Sequence, residues 1–149
     1  MGSVEAVKGF QRVLVPLDFS ASSARRLDLA AGLVAPEGAL RLLHVVEWVP
    51  SVVEGAFVGY ANPKDVRAVH AESEQKLRGL AAAAGTQRVA VEVIEGDAAE
   101  AILEVAERER ADLIVIGTHA RKGLGHLLLG SVAEKIVRRS PCPVLTVRG

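Results

Sequence analysis

The chain alternates short, continuous apolar runs with amphipathic segments, and few folds accommodate that pattern. The first run, Val13-Leu14-Val15-Pro16-Leu17, has no polar alternation, as a strand covered on both faces requires. Four more runs, at about Ala39–Val46, Arg88–Ile94, Asp112–Ile116 and Val144–Val147, give five predicted strands. Between them the spacing predicts helices over about 21–34, 62–84 and 98–110, and a fourth that follows a loop of about 118–128 and runs to about Arg139. Strands that alternate with helical segments indicate a parallel sheet with crossover helices.

Punctuation residues set the boundaries. Ser20 or Ser22 is placed to cap the first helix, and Pro36 and Gly38 to stop it. Asn62-Pro63 opens the second, with Pro63 suited to a first turn, and Gly85 ends it. Gly96-Asp97 reads as a turn and cap before the third, and Pro141-Cys142-Pro143 breaks the fourth. The connection 47–62 is unusual: its only charges are two glutamates, and it holds Trp48, Phe57 and Tyr60, three of the chain's five aromatics. Three readings stay open for it: a lid, a partner surface, or packing for the second helix.

The 149 residues suit one domain, 1–149, able to bury its own core. Eighteen basic residues balance eighteen acidic ones, which excludes the broad positive field of a general nucleic-acid or membrane-surface binder. The single cysteine allows no internal disulfide, and no Cys/His grouping has zinc spacing. Charges at Glu5, Lys8, Arg12 and Asp18 argue against a secretion signal. No stretch approaches the roughly 18 apolar residues of a membrane span. The expectation is a soluble, cytoplasmic protein with no nucleic-acid or membrane partner.

In open parallel sheets, ligands bind beyond the carboxyl ends of strands whose connections leave to opposite faces. Two such ends carry unusual residues: Pro16-Leu17-Asp18-Phe19-Ser20, and the stretch from Gly117 to Ser131, which holds four glycines with Arg121 and Lys122. Glycines let a backbone approach a ligand closely, and a helix opening at Gly130-Ser131 presents free N–H groups and a dipole to an anion. The plainer reading is that Gly117 ends a strand and Gly130 eases helix packing. Neither GxxxxGK[ST] nor a GxGxxG directly after the first strand is present, which argues against a P-loop NTPase and a dinucleotide-binding Rossmann domain.

Taken together, Val-Leu-Val-Pro-Leu-Asp-Phe-Ser at 13–20, Leu-Leu-His-Val-Val at 42–46, Gly-Asp-Ala-Ala-Glu-Ala-Ile at 96–102 and Leu-Leu-Leu-Gly-Ser-Val-Ala-Glu-Lys-Ile-Val-Arg-Arg-Ser-Pro-Cys-Pro-Val-Leu-Thr-Val at 127–147 resemble the universal stress protein family over about residues 10–148. ATP-binding members show Gly, two residues, Gly, nine residues, then Gly-Ser or Gly-Thr. Here the spacing is kept as Gly117, Ala120 and Gly130-Ser131, with alanine in place of the second glycine. The expected architecture is α/β: a doubly wound, five-stranded parallel sheet in order 3-2-1-4-5 with two helices on each face.

The resemblance implies a site of named residues. Asp18 and Val45, with Pro16 and Leu17 alongside, would meet the adenine edge, and Ile116 and Gly117 would border base and ribose. Ala120, Gly130, Ser131 and Val132 would surround the phosphates, with Arg121 and Lys122 adding charge. Mg²⁺ would bridge phosphate oxygens, without an all-protein cage. A helix cap is the structural alternative for Asp18. The resemblance also implies a homodimer paired through Val144–Val147, an exposed apolar edge of the kind that invites pairing. The expected function is an ATP-binding stress-response or signalling module with little or no hydrolysis, at most a slow ATPase, and no catalytic residue is assigned. The alternative, favoured by Ala120, is a member that binds no nucleotide and acts through dimer and partner contacts.

The remaining chemistry-bearing residues have simpler roles. His44 reads as a packed, hydrogen-bonded strand residue and His70 as solvated, while His119 and His126 flank the glycine-bearing loop. Cys142 reads as a small apolar residue, and Arg138-Arg139 complement a helix dipole. A receiver-type switch lacks its acidic cluster beside Asp18, and a flavodoxin lacks its hydroxyl-rich phosphate turn.

Overall fold

The computed structural model describes residues 9–61, 66–85, 88–118 and 129–149. In chain order its elements are β1 (Phe10–Pro16), α1 (Ser23–Leu33), β2 (Val34–Glu47), β3 (Val49–Val53), β4 (Ala56–Ala61) and α2 (Val66–Ala83), then β5 (Val89–Gly96), α3 (Ala98–Arg108), β6 (Leu113–Gly117), α4 (Ser131–Arg139) and β7 (Val144–Val147). Five of the strands form one parallel sheet, ordered β5-β2-β1-β6-β7. β3 and β4 form a separate antiparallel pair.

Side chains of a strand alternate between faces, and β1 shows both. Val13 and Val15 pack with Leu27 and Ala30 of α1 and Leu77 of α2. Leu14 packs with Ile102 and Val105 of α3 and Ile136 of α4. All nine are 3 % exposed or less. Two helices therefore cover each face, and each fully buried leucine or isoleucine contributes about 1.5–3 kcal/mol. α3 begins as the sequence predicts, with the Asp97 carboxylate accepting from the Glu100 N–H at 3.0 Å. Gly85, which follows α2, has φ +70, the left-handed conformation common past a helix end.

Several boundaries differ from expectation. Pro36 and Gly38 do not sit between elements; both lie inside β2, which begins at Val34, directly after α1. The early part of β2 pairs irregularly with β1, shifting register between Phe10↔Val34 and Arg12↔Ala39. Gly38 fits there because a Cβ would come 2.7 Å from the Phe10 carbonyl oxygen and from a Val34 methyl. The connection expected at 47–62 holds the β3–β4 hairpin, turned at Glu54 (φ +50) and Gly55 (φ +80), the two positive φ values of a type I′ turn. Asn62 and Pro63, expected to open the second helix, lie outside the described residues.

Candidate functional site

The carboxyl ends of β1 and β6, neighbouring strands of the sheet, flank the crevice where the sequence places its candidates. After β1 the chain is pinned by a side chain the sequence reading did not single out. Arg26 of α1 is 3 % exposed and turns inward. Its Nη1 donates to the Pro16 carbonyl at 3.0 Å, and its Nη2 donates to Asp18 Oδ1 at 2.7 Å, Ser20 Oγ at 3.0 Å and Ser22 Oγ at 3.2 Å. The Ser20 N–H donates to the same Asp18 oxygen at 3.1 Å, an Asx turn. Ser22 precedes α1, yet neither it nor Ser20 supplies the expected side-chain cap, because both hydroxyls are directed to Arg26.

Partial burial pushes the Asp18 carboxyl up, but hydrogen bonds from Ser20 and Arg26, with the charge of Arg26, outweigh it and hold the group well below the usual carboxylate range. Asp18 is thus an ionised loop anchor, and its Oδ2 makes no hydrogen bond with a described residue. Next to it, Phe19 adopts φ +60, a conformation that disfavours bulky side chains. The residue is held by its ring against His44 (centroids 4.3 Å apart) and by Lys76 Nζ, 5.2 Å from the ring centre. His44 Nδ1 donates to the Leu17 carbonyl at 2.7 Å, the packed, hydrogen-bonded role expected of it. His70, expected in solvent, is instead half-buried, with Nε2 donating to the Val93 carbonyl at 3.0 Å.

Across the crevice, Gly117 ends β6. A Cβ there would lie 2.9 Å from Cζ and 3.1 Å from Nε of Arg26, so the guanidinium lies against the bare glycine backbone. Arg26 Nε is buried without a hydrogen-bond partner among the described residues. Further along, Gly130 precedes α4 in an extended conformation (φ −59, ψ 159), and its carbonyl accepts from the Glu134 N–H. The first N–H groups of α4, from Ser131 onward, have no intrahelical acceptor. Ser131 is exposed and Val132 half-buried.

Of the other candidates, Pro16 and Leu17 are buried, and the Leu17 N–H donates to the Leu43 carbonyl at 2.8 Å. Val45 and Ile116 pack in the core on the α3 and α4 face. Ala120, Arg121 and Lys122, with His119 and His126, lie outside the described residues. Arg26 was legible in principle: Ser23, Arg26, Leu27 and Ala30 fall at the spacing of one helix face, and all four are buried.

Among the described residues no group of three or more His, Cys, Asp or Glu side chains is placed to hold a metal ion. No helix among them is long and apolar enough to cross a membrane.

The fold and this crevice define a doubly wound α/β domain with its candidate site at the point where the connections after β1 and β6 leave to opposite faces of the sheet. The sequence matches the Universal stress protein family over residues 9–148, and the chain belongs to that family. It is 36 % identical over 141 residues to the "universal stress protein in QAH/OAS sulfhydrylase 3'region" of Thermus aquaticus, covering 93 % of this chain and 99 % of that protein. A solved universal stress protein family structure from Burkholderia pseudomallei is 30 % identical, with TM-score 0.67, and the match covers 92 % of this chain and 95 % of that one. Another, described as a universal stress protein in complex with cAMP, is 28 % identical, with TM-score 0.65 and coverage of 93 % and 97 %.

Proposed function

We propose that this chain is a nucleotide-responsive stress protein that binds ATP, with Mg²⁺ held through the phosphates, in the crevice between the carboxyl ends of β1 and β6. The observation that carries the reading is that Gly117 and Gly130-Ser131 bracket the crossing from the end of β6 to the start of α4. There the first N–H groups of α4, which have no intrahelical acceptor, and the helix dipole suit an anion, and Ser131 is exposed. The similar protein described in complex with cAMP lends support for an adenine nucleotide. In this reading Pro16, Leu17, Asp18 and Val45 border the base, Ile116 and Gly117 the ribose, and Ala120, Arg121, Lys122, Gly130, Ser131 and Val132 the phosphates.

The residues fit such a ligand on two counts. The helix start supplies donors, and Asp18 keeps one carboxylate oxygen without a described partner, which would be free to accept from a water on a phosphate-bound ion. Mg²⁺ favours phosphate oxygens and retained waters over an all-protein cage, so no protein ligand set is needed. No described group is poised as a general base toward a γ-phosphate, and the reading is binding with little or no turnover, at most a slow ATPase. A cytoplasmic homodimer paired through β7, an edge strand of the sheet, completes the proposal.

A second reading has its own support. Arg26 fills the space beside Gly117, and Ala120 replaces a motif glycine, as expected of a member that works by dimer and partner contacts alone. Native mass spectrometry of the purified protein with added ATP and Mg²⁺ separates the two. A bound ATP mass that Ser131→Ala weakens supports the nucleotide reading. Absence of any bound nucleotide, in both the native chain and Ala120→Gly, overturns it.

A further inference from the structure

We propose a second anion site, at the opposite end of the sheet from the nucleotide crevice, that takes a small phosphate-bearing molecule on Arg12, Arg88 and Arg110. A cavity of about 620 Å³ opens there among β1, the middle of β2, the start of β5 and the carboxyl end of α3. A second space of about 510 Å³ adjoins it, and both are lined by Arg12, Ala39, Arg88 and Arg110. Each falls within the few hundred to about 1,000 Å³ of small-molecule sites.

The charges lining this end are not evenly matched. Arg41 and Arg108 are each paired with both Glu92 and Glu109, at 2.6–3.2 Å. The other three arginines have no carboxylate partner among the described residues. Arg12 donates to the Glu109 carbonyl at 3.5 Å and Arg88 to the Glu37 carbonyl at 3.0 Å. The Arg110 guanidinium makes no hydrogen bond or ion pair with a described residue. Asp112, on the same wall, is engaged by the N–H groups of Gln11 and Arg12 at 2.7 and 2.8 Å. Counting Asp112 and Glu37 in full, three guanidinium charges still exceed two carboxylates. Planar arginine forks match phosphate oxygens in geometry as well as charge.

An independent observation singles out Arg110. It follows α3 with φ +51, where glycine is the residue of least strain. A non-glycine residue held in that conformation points to a use for its side chain. The backbone turn aims an arginine from the end of α3 at the wall that carries Arg12 and Arg88.

Amide NMR of the full chain, titrated with inorganic pyrophosphate at low salt, tests the site. The expected result is saturable shifts at the amides of Arg12, Arg88 and Arg110, with apparent affinity weakened about tenfold in Arg88→Ala, the scale of one charge-assisted hydrogen bond. Arg110→Gly keeps the fold, because glycine suits its φ, and the variant is expected to unfold at equal or higher urea while it too loses affinity. Shifts confined to Ser131 and its neighbours, or binding at this end that both variants leave unchanged, overturn the proposal. The first of those outcomes would leave the nucleotide reading standing, so the two are tested separately.

Discussion

The guanidinium of Arg26 occupies the space that a side chain at position 117 would need: a Cβ on Gly117 would lie 2.9 Å from Arg26 Cζ. That guanidinium cannot retreat cheaply, because it is buried and bound to the Pro16 carbonyl, Asp18, Ser20 and Ser22. Gly117→Ala is therefore expected to destabilise the domain by about 1–3 kcal/mol, the usual cost of overpacking. Gly79→Ala is the control. Gly79 lies in α2 with open space around its missing Cβ, and alanine there is expected to stabilise by about 0.5–1 kcal/mol. Urea unfolding of the two variants checks the opposite signs.

Asp18 makes stability depend on pH at the acid end. Its folded-state pKa lies below the ordinary aspartate value, so the folded state favours the ionised form. That contribution is fully present above about pH 4 and is lost as pH falls through the ordinary value toward the depressed one. Asp18→Asn is expected to flatten this part of the acid limb. At neutral pH it is expected to cost about 1–2 kcal/mol, because Arg26 stays buried without its counter-charge, while exposure of the carboxylate keeps the figure toward the low end. Thermal unfolding of both proteins from pH 7 to pH 2 makes the comparison; parallel acid limbs would overturn the assignment.

The parallel sheet was legible in the sequence because its strands are buried on both faces and so read as unbroken apolar runs, as at Val13–Leu17. The crevice residues followed from the rule that ligands gather where strand connections diverge. Other features escaped because their causes are tertiary. Gly38 reads as a helix stop by type, yet it serves the close approach of Phe10 and Val34, a contact between segments more than twenty residues apart. The β3–β4 hairpin turns on Glu54-Gly55, a weaker signal than Asn-Gly. It also pairs outside the main sheet, with Val52, Phe57 and Val58 exposed, so burial imposes no readable alternation. The helix-face spacing of Arg26 with Leu27 and Ala30 marks it for burial, but only the folded loop after β1 shows the four acceptors that converge on it.

Cys142 is expected to be a slow thiol. Burial pushes its pKa up and the charge of Asp112 adds to that, against a smaller opposing hydrogen bond from Ser140. Since the thiolate is the reactive form, alkylation by iodoacetamide at pH 8 is expected to run slower in the folded protein than for free cysteine. The rate should return to the free value in denaturing urea. Equal rates in the folded and free forms would contradict the reading of Cys142 as a packing residue.

Asp97 joins the end of β5 to α3, and its carboxylate accepts from the Glu100 N–H at 3.0 Å. This helix buries Ala99, Ile102, Leu103, Val105 and Ala106, so loosening its first turn affects the core on that face. Asp97→Ala removes the acceptor and is expected to cost about 1 kcal/mol, or a melting temperature lower by about 2–4 °C for a domain of this size. Asp97→Asn keeps an acceptor and loses only the charge facing the helix dipole, about 0.3–1 kcal/mol, so its midpoint is expected between those of the native chain and the alanine variant. Amide exchange at Glu100 supplies the local readout: faster exchange in the alanine variant, with the centre of β6 unchanged, places the loss at the cap. An alanine variant as stable as the native chain would show that water replaces the carboxylate without cost, and that burial along α3 alone holds the helix start.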